Sequence, residues 1–318
     1  MKNIVILFVF ILGNPLVALA SVYPTITEIN TAIDSLMNRV NIDSLESKIR
    51  YLQNLGSRPR ADTGHYAKGH LNNIAAKNWL HQQYENIENL DVYFHHFLPE
   101  SQCDTIWTAI GFVSFDMAMN VVAIQIGTEF PDEYVIVCSH FDTGQYPPSL
   151  ADSLLPGADD NASGTSGVLE IARVLSPHSF KRSIIYLNNN GEEMFLMGSA
   201  LFAHWCKENN INILGVFNLD MIGYNFPMFD VETGEHIGFQ PLKIFYNDRP
   251  LINKDFAKYF DEVSALYLPD IPALPNQSEN IYHGELGIGD CAPFIVNDYP
   301  SMYMGDVLGL EQLIPLPC

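Results

Sequence analysis

Four short stretches of this chain put acids or an imidazole where chemistry could use them. In Ser139-His140-Phe141-Asp142 the aspartate lies two residues past the histidine. It can therefore hold one ring nitrogen while the other faces a metal ion. Asp159, Asp160 and Asn161 follow Pro156-Gly157-Ala158; they either cap the helix that comes next or offer a carboxylate able to bridge two cations. Glu192 and Glu193 are adjacent. They are either a solvated surface pair or two acids that divide labour, one ligating metal and the other moving protons. Asp220 closes the apolar run from Ile213 to Leu219, and an acid facing a core needs a metal or a hydrogen-bond network to offset its desolvation. Together these positions describe a hard, oxygen-rich site with at least one imidazole, which suits Zn2+ in a hydrolase better than a redox metal. The number of shared carboxylates points to two ions, about 3.5–4 Å apart.

The elements that must position these groups are legible as a change of period. Ile26 to Leu55 carries apolar residues at helical spacing (Ile29, Ile33, Leu36, Met37) and stops at Gly56, and a second helical stretch covers about 64–84. Asn120–Ile126 and Tyr134–Cys138 are short, rich in β-branched residues and almost continuously apolar, as strands buried on both faces are. A helix over about Ser163–Leu175, a strand Ser183–Leu187, a helix Gly198–Lys207 and a strand Ile213–Leu219 follow. Leu242–Tyr246 and Ser301–Met304 read as further strands, and Leu266–Asn276, with three prolines, as a loop. This alternation predicts a single α/β domain with a mostly parallel, mixed central sheet flanked by helices. The N-terminal helices would span about 26–84 and the α/β core about 90–318. In such sheets function gathers at the carboxyl ends of strands, and that is where the acids and His140 fall.

Bulk properties narrow the partners. Lys2, the apolar run Ile4–Leu12 and Ala18-Leu19-Ala20 form a signal peptide over 1–20, too short for a membrane span, so the expected mature chain is 21–318, secreted or periplasmic. A net charge of −21 repels nucleic acid and anionic membranes and favours cations or amines. The five cysteines include no Cys-x-x-Cys pair, which argues against a zinc ribbon or a thioredoxin-like site. No Gly-x-Ser-x-Gly elbow for a serine hydrolase is present. His95, His96 and His204 match no motif, and the adjacent pair would point to opposite faces of a strand.

SHFDT (139–143), PGADDNASGTSG (156–167), NGEEMFLMGS (190–199), FNLDMIGY (217–224) and, imperfectly, GDCAPF (289–294) together resemble the zinc aminopeptidases of the M28 type. That group is related to bacterial leucyl aminopeptidases and more distantly to glutaminyl cyclases. The resemblance extends over about residues 50–306, including LQNLGSRPRADTGH. It implies a zinc-exopeptidase fold of phosphorylase/hydrolase-like architecture and a secreted aminopeptidase acting on peptides with a free N-terminus. It further implies two Zn2+ ions, with His140, Asp159 and Asp220 on the first and Asp159 bridging to the second. Glu193 would ligate the second ion, Glu192 would be the general base, and Asp142 would orient His140.

The resemblance leaves Cys291 open. The second ion's last protein ligand is expected in a Ser-Asp-His block, which aligns here with Gly289-Asp290-Cys291. Cys291 is then a zinc thiolate, half of a disulfide, an unligated thiol or, least in keeping with its neighbours, a nucleophile; His283 is a stand-in ligand or a loop residue without a role. The tail after Gly305 lacks the polar motif and terminal helix that the resemblance implies. Two other functions stand beside this reading: a glutaminyl cyclase-like acyltransferase of the same fold using one zinc, and, from these departures, a catalytically impaired peptidase-like binding domain.

Overall fold

The computed structural model describes residues 27–59, 69–97, 107–108, 111–112, 115–144, 156–224, 227–229, 233–234, 236–239, 242–246, 252–269, 273–277 and 289–305. The stretch expected to be a signal peptide, Cys103, His283, Cys318 and the residues after Gly305 lie outside them.

Among the described residues the helices are α1 (Thr31–Met37), α2 (Ile42–Leu55), α3 (Gly69–Glu85), α4 (Ala162–Leu175), α5 (Met197–Glu208), α6 (Ile252–Tyr267) and α7 (Ala292–Val296). The strands are β1 (Asp91–His96), β2 (Trp107–Thr108), β3 (Gly111–Phe112), β4 (Met119–Gln125), β5 (Phe130–His140), β6 (Arg182–Asn189), β7 (Asn212–Leu219), β8 (Pro227–Phe229), β9 (His236–Phe239), β10 (Leu242–Tyr246), β11 (Ala273–Gln277) and β12 (Ser301–Gly305). Eight of them form one mixed sheet in the order β1-β4-β6-β5-β7-β12-β10-β11, while β2-β3 and β8-β9 are separate two-stranded pairs. The centre, β6-β5-β7-β12, is parallel.

The apolar runs of the central strands are continuous because both faces of the sheet are covered. Val121, Ala123, Val137, Tyr186 and Phe217 pack with α1–α4 and α6 on one side. Their alternates Val122, Ile136, Cys138, Ile185, Leu187 and Val216 pack with Phe202 of α5 and Phe294 of α7 on the other. From β5 the chain passes through α4 to β6 on one side, then through α5 to β7 on the other. The carboxyl end of β5, where His140 sits, is thus a topological switch point, the usual ligand crevice of such sheets. Gly164 in the first turn of α4 lets that helix close on β7: a Cβ there would lie 2.2 Å from the Leu219 carbonyl oxygen.

Three local expectations change. The helix read over 26–55 is two helices, because Asn41 accepts from the Ser44 amide and starts α2 afresh. Part of the proline-rich stretch is not loop: Ala273–Gln277 is a strand parallel to β10 at the sheet's edge. Pro275 is tolerated there because an edge strand has one side without ladder bonds. Helix α6 carried no sequence expectation.

A buried acid ties the N-terminal helices to this core. The Glu170 side chain in α4 has no exposure. It receives Lys48 Nζ at 2.8 Å, Arg173 Nη2 at 2.6 Å, the Asn41 amide at 2.8 Å and the Ser44 hydroxyl at 3.0 Å. Burial alone would raise its pKa, but Arg173 and Lys48 bring it down to about 2. A carboxylate depressed on folding contributes stability that is complete above its unfolded pKa, about 4.3, and lost as pH falls through the folded value. Glu170→Gln should therefore cost about 3 kcal/mol at pH 7, the scale of a broken buried pair. In urea unfolding the gap to wild type should narrow at pH 3; a gap unchanged with pH would assign the stability to packing instead.

Candidate metal centre

The register of the parallel strands sets the site. Cys138 of β5 pairs with Asn218 of β7, so His140 comes level with Asp220. His140 also pairs with Asn189 of β6, three residues before Glu192. His140 Nε2 lies 3.3 Å from Asp160 Oδ1, 3.4 Å from Asp220 Oδ1 and 4.0 Å from Glu192 Oε2. His140, Glu192 and Asp220 each place a ligand-capable atom within 4.8 Å of the others'.

Asp142 organises this group from behind. His140 Nδ1 is 3.2 Å from the Asp142 carbonyl oxygen and 3.5 Å from Asp142 Oδ1. The same carboxylate accepts the Glu192 amide on Oδ1 at 3.2 Å and the Glu193 amide on Oδ2 at 3.3 Å. One buried aspartate thus aims the imidazole and fixes the turn that carries both glutamates. Glu193 is exposed, and a Cβ added to Gly144 would sit 3.3 Å from each of its carboxylate oxygens.

Asp159 does not join them. Its Oδ1 accepts the Gly223 amide at 2.8 Å, so the side chain tethers the loop after β7. Asp160, next in sequence, is the residue that faces His140. The reason lies in the cap that follows. Asn161 accepts from the Gly164 amide and donates to the Leu219 carbonyl oxygen at 2.9 Å, which pins α4 to β7 and leaves the preceding side chain directed at the strand ends.

Cys291 lies in the interior. It opens the short helix α7, is fully buried against Ile295 and Tyr303, and forms no disulfide with another described cysteine. Burial, then the nearby Asp290, pushes its thiol well above the ordinary range. Among the described residues it is not part of the ligand cluster. His95 stacks edge-on against Phe202 and His204 sits on the surface beside Glu208, both away from the centre.

The electrostatics are those of a site built for a cation. Burial, with crowding by Asp220, Asp290 and Asp142, lifts Glu192 to about 9 against the pull of His140. Partial loss of hydration beside the turn and the nearby Asp160 lift Glu193 to about 8. Burial raises Asp290 to about 6, with His140, Ser199 and Asn189 opposing. For His140, burial is outweighed by Asp220, Glu192, Asp142 and Asp160, and its pKa stands well above the ordinary value. His140 Nε2 and Asp220 Oδ1 are buried without a hydrogen-bond partner, a costly arrangement unless something else satisfies them. Atoms about 2.0–2.1 Å from a tetrahedral zinc lie about 3.3 Å from one another. The His140–Asp160 and His140–Asp220 separations match that edge, and the His140–Glu192 separation exceeds it. The residues fit a zinc ion.

Two contributors escaped the sequence reading. Asp160 was indistinguishable from its neighbour, and Arg58, inside LQNLGSRPRADTGH, is a fully buried arginine beneath the site. An arginine flanked by Gly56 and Pro59 at a helix end was the available signal.

The model of peptidase family M28 matches residues 120–308. A probable zinc metalloprotease of Pyrenophora teres f. teres is 28% identical over 189 residues, covering 59% of this chain and 38% of its own length; the chain thus spans less than half of that relative. The Legionella pneumophila LapA aminopeptidase superposes with a TM-score of 0.63 at 19% identity, covering 92% of this chain and 66% of that one. An Acidobacteriales glutaminyl cyclase gives 0.57 at 17% identity, covering 85% and 80%. At these identities the two structures speak for the fold alone.

Proposed function

The chain belongs to peptidase family M28, and from that premise we propose that it is a zinc-dependent aminopeptidase removing residues from the free N-termini of peptides. The observation that carries the reading is the gathering of acids on one imidazole: His140, Glu192 and Asp220 offer atoms within 4.8 Å of one another, and Asp160 Oδ1 lies 3.3 Å from His140 Nε2. Asp160, His140 and Asp220 would hold the first ion. Asp160 and Glu193 offer a second position. When bound, zinc lowers the pKa of a water to about 7 and polarises the scissile carbonyl.

The chain's own groups do the rest. Asp142 keeps the Nδ1 proton of His140 directed at itself, leaving Nε2 to face the centre. Glu192 takes the proton of the attacking water and delivers it to the departing amine. Asp160 and Glu193 are exposed, so the centre opens to solvent on their side, and the acidic surroundings suit the ammonium of a peptide N-terminus. This favours an exopeptidase over an endopeptidase. The leader Ile4–Leu12 and the net charge of −21 fit an exported enzyme.

Leucyl-p-nitroanilide should be hydrolysed, its N-acetylated counterpart should not, and chelation followed by zinc should abolish and restore the rate. Zinc-loaded protein that cleaves blocked peptides, or none, would overturn the exopeptidase reading. Conversion of a glutaminyl peptide to its cyclic form without hydrolysis would assign the cyclase instead.

A further inference from the structure

We propose that Arg58 is the positioning residue of the metal centre, one guanidinium that holds the ligand-bearing turns in a common register. This deepens the reading above and rests on it. Among the described residues, each hydrogen bond of the Arg58 side chain goes to a main-chain carbonyl. Nε donates to Phe141 at 2.9 Å; Nη1 donates to Leu52 at 2.8 Å, Gly56 at 3.1 Å and Pro156 at 2.8 Å; Nη2 donates to Gly157 at 3.2 Å. Phe141 lies between His140 and Asp142, and Pro156-Gly157 lead into Asp160. One fork therefore grips the exits that deliver the imidazole and the facing carboxylate, and anchors both to the end of α2.

The Arg58 backbone reaches the third turn. Its amide donates to Thr143 Oγ1 at 2.8 Å. Its carbonyl oxygen accepts from Asn73 Nδ2 at 3.0 Å, and Asn73 exchanges two side-chain hydrogen bonds with Asn190, at 2.9 and 3.0 Å. Asn190 is two residues before Glu192. The knot leaves no slack: a Cβ on Gly157, whose φ is +59°, would lie 2.4 Å from Thr143 Cγ2 and 2.8 Å from Arg58 Nη2.

Burial lowers the Arg58 pKa to about 10, with Asp142 and Asp160 resisting, so the group is charged at neutral pH. Among the described residues its hydrogen bonds go to neutral carbonyls rather than to a carboxylate. A buried cation beside a metal site should by itself weaken metal binding, so its removal carries opposite signs for the two possible roles. Loss of repulsion would tighten the ion; loss of register would loosen it. Positioning predicts the second.

Zinc affinity, measured by competition with a chromophoric chelator, and the visible absorption of the Co2+-substituted protein are compared for wild type, Arg58→Lys, Arg58→Gln and Glu170→Gln. Both Arg58 variants should bind zinc about 10- to 100-fold more weakly, as for outer partners of metal ligands, with an altered Co2+ spectrum. Lysine keeps the charge but not the fork and should not rescue. Glu170→Gln should lose stability yet keep affinity and spectrum, which separates positioning from general destabilisation. Folded Arg58 variants with wild-type or tighter affinity would overturn the proposal. If neither folds, Thr143→Val, which removes the hydroxyl accepting the Arg58 amide, should weaken zinc at least threefold, and unchanged affinity would overturn it. Wild-type protein that binds no zinc would instead sink the metallopeptidase reading, a result visible before any variant is made.

Discussion

Glu192→Gln should retain zinc and lose about 10²- to 10⁴-fold in kcat, the range associated with removing a positioned general base. The substitution is nearly isosteric and leaves in place the backbone amide that Asp142 holds at 3.2 Å. What it removes is the capacity to accept a proton. Glu192 lies 4.0 Å from His140 Nε2, beyond the separations expected of two ligands on one tetrahedral zinc, yet close enough for a water to stand between it and the ligand set. Its side chain is 17% exposed, so the position is sheltered but reachable. Metal content by atomic absorption and turnover of leucyl-p-nitroanilide, measured on the same preparation, decide the matter. Loss of zinc in step with activity would make Glu192 a ligand, and the base would have to be sought elsewhere. A fall in kcat/KM carried wholly by KM would equally remove it from the proton-transfer step.

Much of this architecture was legible because the central strands are buried on both faces. Val121 to Ala123 and Val135 to Cys138 have to be apolar at consecutive positions, and such runs mark strands from sequence alone. The acids stood out for the complementary reason: Asp220 and the Glu192-Glu193 pair interrupt or follow those runs at the carboxyl ends of strands. What sequence could not supply was direction at the scale of one residue. Cys291 shows the limit. A sulfur near a proposed metal reads as a ligand until the packing of α7 turns it against Ile295 and Tyr303. Asn41 shows it differently, since helical spacing continues through a residue whose side chain caps a new helix. Pro275 joins a strand that only an edge position permits, and edges are a property of the whole sheet rather than of the segment.

The adjacent aspartates give the sharpest case, and the second large effect. Asp160→Asn should weaken zinc binding by at least about 100-fold, past the upper end for losing an outer partner, and activity at limiting zinc should fall with it. Asp159→Asn should stay within about tenfold in affinity. Asparagine keeps an oxygen able to accept the Gly223 amide that Asp159 Oδ1 accepts at 2.8 Å. The change therefore costs about 1 kcal/mol of stability, as a charge-assisted bond becomes a neutral one. The two positions differ in nothing a composition or a period can register. They are separated by the Asn161 cap, which fixes the start of α4 through Gly164 and Leu219. With that cap in place the residue before it meets His140 and the one before that turns to the loop after β7. Paired isothermal titrations of zinc into the two apo variants make the comparison within one experiment. Equal losses at both positions would mean that the loop moves as a unit and that the ligand is shared between them. A loss at Asp159 alone would restore the assignment drawn from motif resemblance and remove Asp160 from the centre.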